Sequence, residues 1–99
     1  MKTHERRGER RVRRADPVQL EWTNNDGSMM RALGHCVDAS PSGMRVEILD
    51  LLPVGLSVRF DVLGQDFRGM ATTKSCRLRG ARAVAGFEFA WSKKWKAIA

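Results

Sequence analysis

Short runs of alternating apolar and polar residues occupy most of this chain, separated by clusters of Asn, Asp, Gly, Ser and Pro. Val18, Leu20 and Trp22 alternate with Gln19 and Glu21, the period of a half-buried strand. The segment from Asn24 to Gly27 then predicts a hairpin turn, because Asn, Asp and Gly tolerate the positive φ that tight turns require. A second strand is expected from Met29 to Val37, ending where Asp38 to Gly43 gathers Ser, Pro and Gly. Met44, Val46 and Ile48 alternate with Arg45 and Glu47 in a third. Val58, Phe60 and Val62 alternate with Arg59 and Asp61 in a fourth. Between these two, Leu51 to Gly55 reads as a loop that drops apolar side chains over the end of the core. Gly64-Gln65 turns the chain into a fifth strand from Phe67 to Leu78, and Arg79-Gly80-Ala81 turns it into a sixth from Val84 to Phe89.

Six short strands with hairpin punctuation predict an all-β domain, a small antiparallel barrel. Residues 1–15 hold only Val12 as a substantial apolar group and cannot bury enough surface to order themselves. The expected organisation is therefore a flexible basic arm over 1–16 and a barrel over 17–99. From Ser92 onwards the pattern changes, and Ser92 is placed to cap a short terminal helix carrying Lys93, Lys94 and Lys96.

Charge sharpens the picture. The chain of 99 residues has a net charge of +7, and residues 1–16 carry Lys2, Arg6, Arg7, Arg10, Arg11, Arg13 and Arg14 against Glu5, Glu9 and Asp16. An anionic partner that meets this leader is the electrostatic expectation. No run approaches the roughly 18 apolar residues of a membrane helix, and the basic N-terminus has no apolar stretch behind it. A cytoplasmic protein without membrane insertion follows. Cys36 and Cys76 are then expected reduced and packed as small apolar groups. His4 and His35 have no partnered nucleophile and no CxxC accompanies them, which argues against both an enzyme and a metal site.

Two short patterns hold candidate chemistry. Arg10 and Arg14 stand at RxxxR spacing, with Arg11 and Arg13 between them. A guanidinium can donate two hydrogen bonds to the O6/N7 edge of guanine, stack on a purine and pair with phosphate; lysine does only the last well. Arg6/Arg10 and Arg7/Arg11 satisfy the same spacing, so the register is open. Asp38-Ala39-Ser40-Pro41-Ser42-Gly43 reads DxSxxG. It fits an ordinary turn in which Asp and Ser bond their own backbone. It also fits a site where Asp38 accepts the N1 and N2 hydrogens of guanine, Ser40 donates to phosphate or a ring acceptor, and Gly43 lets the backbone approach the ligand.

Both patterns together, in this order, resemble the PilZ domain, a bacterial receptor for cyclic di-GMP. Arg10, Arg14, Asp38, Ser40 and Gly43 match the family's motifs, and the leader, barrel, Gly86 to Phe89 strand and tail follow its organisation. The resemblance implies a second-messenger receptor without cofactor. It would take cyclic di-GMP as an intercalated dimer and act on an unidentified downstream protein in motility, biofilm or exopolysaccharide control. Two alternatives stand beside it: a basic barrel that binds single-stranded nucleic acid, disfavoured by the few aromatic residues, and a nucleotide-independent adaptor.

Overall fold

In the computed structural model, which describes residues 10–92, each alternating run is a strand. Seven strands follow one another: β1 (Val12–Arg13), β2 (Pro17–Thr23), β3 (Met29–Ser40), β4 (Gly43–Ile48), β5 (Ser57–Val62), β6 (Phe67–Arg79) and β7 (Arg82–Ser92). β2 pairs β5, then β6, β7 and β4 follow, and β4 returns to β3, which pairs β2. All pairings are antiparallel, so six strands close a barrel and β1 adds to β3 as a seventh. Closure removes the open edges that a six-stranded sheet would otherwise expose.

The inward positions are the ones alternation picks out. Val18, Leu20, Val46, Ile48, Val58, Phe60 and Val62 are fully buried. Phe60, Phe67 and Phe89 pack as a triad with ring centroids 5.2 to 5.4 Å apart. Cys36 lies in the core as a free thiol, and burial pushes its pKa up to about 12. The turns at 24–27, 64–66 and 79–82 hold Gly27, Gly64 and Gly80 at positive φ, the conformation that selects glycine there.

Three expectations change. β3 continues past Val37 to Ser40, so Asp38 and Ser40 belong to a strand and only Pro41 and Ser42 turn the chain. The arm is not free over its whole length. Val12 stands opposite Ala39 and Arg13 opposite Asp38, and the amide of Arg14 donates to the Val37 carbonyl at 2.9 Å. Of the loop after β4, only Leu52 is buried, while Leu51 and Val54 face outward. Ser92 pairs with Gly69 at the end of β7, and the helix expected over 93–99 lies outside the described residues, as does the leader before Arg10.

Candidate functional site

A bulge in β3 builds the site. Pairing with β4 slips between Cys36 and Asp38, which leaves Val37 as the extra residue. Such an insertion reverses which face successive side chains take. Cys36 and Ala39 therefore both face the core, whereas Asp38 and Ser40 turn to the outer wall. Counting outward from the two-residue turn puts Ser40 opposite Gly43 and Asp38 opposite Arg45.

Asp38 is gripped from two sides. Arg45 donates from Nε to Oδ1 at 3.1 Å and to Oδ2 at 3.0 Å, and also bonds Oδ2 through Nη2. Arg11 donates to Oδ1 from Nε at 3.2 Å and from Nη2 at 2.8 Å, and its Nη1 reaches the Ser40 hydroxyl at 3.5 Å. Asp38 is only 7% exposed. Burial pushes its carboxyl up, but the hydrogen bonds from Arg45 and then Arg11 outweigh that and hold it below the ordinary carboxylate range.

The expected residues divide accordingly. Arg11, Asp38 and Ser40 are brought together. Arg14 turns instead to Asp16, donating from Nε at 2.8 Å and Nη2 at 3.2 Å. Hydrogen bonding from Arg14 lowers the pKa of Asp16. Arg13 is exposed and in register with Asp38, and Arg10 is exposed at the start of the described chain. Gly43 is buried, but what comes near it is another strand. A Cβ there would lie 2.2 Å from the Phe87 carbonyl oxygen.

In the sequence Arg45 is one outward residue of the third strand, with nothing in the alternation to mark it for the site. Its signal was the hairpin count itself: with Pro41 and Ser42 at the turn, position 45 falls opposite 38.

Beside Asp38 an open pocket of about 380 Å³ spreads over the outer wall of β4, β7 and β6. Arg11, Arg45 and Lys74 bring positive charge to it, and Glu88, 3.8 Å from Lys74, is the one acid among the described residues that line it. Gly43 and Gly86 leave its floor low; a Cβ on Gly86 would strike Ser75 Oγ at 2.6 Å. Cations around a shallow floor, next to a carboxylate and a hydroxyl, suit a planar ligand that carries phosphates.

The fold as a whole matches known structures. The chain superposes on the crystal structure of YcgR from Escherichia coli in complex with c-di-GMP, with a TM-score of 0.63 and 22% identity. It superposes equally on the PilZ domain of YcgR with c-di-GMP, at 0.61 and 19%. The fold is that of a PilZ domain. This PilZ-like chain is matched over 85% and 86% of its length, but it spans 38% of the larger YcgR chain against 78% of the isolated domain. No family model and no curated protein matches its sequence.

Proposed function

We propose that this PilZ-like domain is a receptor for cyclic di-GMP and not an enzyme. The observation that carries the reading is the meeting of Arg11, from the leader, with Asp38 and Ser40 of the DxSxxG segment, at the rim of a cationic pocket. The YcgR structures, solved with c-di-GMP, share the fold that holds these residues.

Binding proceeds by exchange of partners. In the free protein Asp38 is neutralised by Arg11 and Arg45. A guanine offers its N1 and N2 hydrogens to the same carboxylate, and the released guanidiniums turn to the phosphates and the purine face. Arg10, Arg13 and Arg14 stand on the same segment and supply further phosphate contacts, with Ser40 donating its hydroxyl. Two stacked ligand molecules, an intercalated dimer, would bring four phosphates to a leader rich in arginine. The rearranged leader then presents a new surface to a downstream protein in the cytoplasm.

Calorimetric titration with cyclic di-GMP tests this and yields the ligand-to-protein ratio. Saturable binding at micromolar concentration is expected, with cyclic di-AMP much weaker. No heat with the guanine ligand would remove the proposal. A single-stranded oligonucleotide that binds tighter, with steep salt dependence, would favour the nucleic-acid reading instead.

A further inference from the structure

The end of the barrel away from Asp38 carries apolar side chains that nothing in the described chain covers. Ile48 of β4 stands opposite Ala83 of β7, and Ala83 opposite Leu78 of β6. Residues directly opposite one another share a face. Ile48 and Ala83 are fully buried, yet Leu78, on the same inward face, is 71% exposed. The hairpin of β6 and β7 simply overshoots the barrel.

The loop after β4 crosses this mouth. Its Leu52 amide donates to Cys76 Sγ at 3.4 Å, and its Gly55 amide to the Thr73 carbonyl at 2.7 Å. Leu52 plugs the core, whereas Leu49 and Leu51 remain 69% and 58% exposed beside it. Two prongs result, a leucine loop and a leucine-bearing hairpin tip turned by Gly80 at positive φ.

The back of the hairpin is cationic. Arg79 stands directly opposite Arg82, and Arg77 is one step further along the strand. All three are exposed, and among the described residues none has an ion-pair partner. Like charges held opposite each other in a ladder repel, so this arrangement gains from an external anion. The leucines and the arginines lie on opposite faces of the hairpin. A peptide seated in the mouth would touch only the leucines. A headgroup layer surrounds an inserted tip and meets both.

We propose that this mouth docks on an anionic phospholipid bilayer. Leu49, Leu51 and Leu78 enter the boundary between headgroups and acyl chains, and Arg77, Arg79 and Arg82 pair with lipid phosphates. The domain lies on the surface: its barrel packs its apolar side chains inward as a core and carries Arg45, Glu47, Arg59 and Asp61 at the alternate, outward positions. β4 runs five residue steps from Gly43 to Ile48, about 17 Å of strand, so the mouth lies at the other end of β4 from the DxSxxG turn. Arg79 and Arg82 are outside the pocket lining, further along the outer wall of β6 and β7 that carries Ser75 and Gly86.

Sedimentation with vesicles tests the proposal at about 0.15 M salt. The vesicles are phosphatidylcholine alone, or phosphatidylcholine with about 30% phosphatidylserine. The protein should pellet with the anionic vesicles and not with the neutral ones. Leu49→Asn with Leu78→Asn, and separately Arg79→Gln with Arg82→Gln, should each weaken partitioning at least tenfold. Both pairs are exposed, so circular dichroism and cyclic dinucleotide affinity should not change. Failure to pellet, or variants that pellet like the parent because the N-terminal leader does the binding, would overturn it. So would a parent dimer that the leucine variant turns into a monomer, since the face would then belong to a second copy.

Discussion

Replacing Asp38 by alanine separates the two roles its carboxylate has been given, ligand acceptor and arginine clamp. On stability the cost is bounded by the exposure of its partners. The side chains of Arg11 and Arg45 are 44% and 53% exposed, so both rehydrate once the carboxylate is gone. The 3–5 kcal/mol typical of stripping one partner from a fully buried pair therefore does not apply. A loss of about 1–2 kcal/mol is expected, with several charge-assisted hydrogen bonds discounted for solvent. In a domain of this size that lowers Tm by roughly 5–15 °C, leaving a folded barrel at room temperature. On binding, the guanine edge loses an anionic acceptor pair, which is worth about 1.4 kcal/mol or more, a tenfold loss. Partial compensation comes from arginines that no longer have to leave a carboxylate. Titrating the variant with cyclic di-GMP and cyclic di-AMP provides a readout that a clamp alone would not move: preference for guanine should collapse. Unchanged affinity and unchanged preference in a folded Asp38→Ala protein would refute the assignment of Asp38 as the guanine acceptor.

Acid should destabilise the fold through two carboxylates. The pKa values of Asp16 and Asp38 are depressed in the folded state, so their stabilisation is present above the unfolded value near 4 and is lost as pH falls through the folded values. Urea midpoints measured from about pH 6 down to pH 2 should fall, and Asp16→Asn should flatten the fall. Thr73→Val should raise stability by about 1 kcal/mol, because the Thr73 hydroxyl is buried without a hydrogen-bond partner among the described residues; a loss in thermal melts would show the hydroxyl to be engaged. Gly43→Ala should cost about 2–3 kcal/mol in chemical denaturation, since the new methyl meets the Phe87 carbonyl and backbone cannot rotate aside. A cost under about 0.5 kcal/mol would leave ligand approach as the reason for glycine there.

How much could be read from the chain depended on where period two survived. Val18, Leu20 and Trp22, or Val58, Phe60 and Val62, alternate without interruption, and each became a barrel strand. Bulges hid the rest. In β6 the register slips after Met70 and again after Thr73, so Thr73 and Cys76 both face inward although three positions apart. The slip at Val37 concealed that Asp38 and Ser40 lie on an outer strand face. β1 left no trace, because two residues in an arginine run have no period. The choice among arginines was equally hidden: Arg11 and Arg14 differ only in whether Asp38 or Asp16 lies within reach, and that distance belongs to the fold. At Gly43 the sequence shows a glycine that suits either a turn or ligand approach, and the packing that also requires it comes from Phe87 of β7, 44 residues further along the chain.

A docked leader changes what ligand binding must accomplish. An unstructured arm that closes over a ligand loses roughly 1 kcal/mol or more of conformational entropy for each residue it orders. Here residues 12–16 already lie along β3, through Arg14 to the Val37 carbonyl at 2.9 Å and through the Asp16 carbonyl, which accepts from the Cys36 amide at 2.8 Å. On the proposed reading the ligand breaks the grip of Arg11 on Asp38, an electrostatic exchange, and spends little on ordering these residues. Amide hydrogen exchange distinguishes the two cases. Without ligand, the Arg14 amide should be protected well above its unstructured rate, and cyclic di-GMP should add modestly to protection that already exists. Exchange at the unstructured rate in the free protein, followed by strong protection on binding, would mean that the leader folds around its ligand and that ordering, with its entropic cost, sets the affinity.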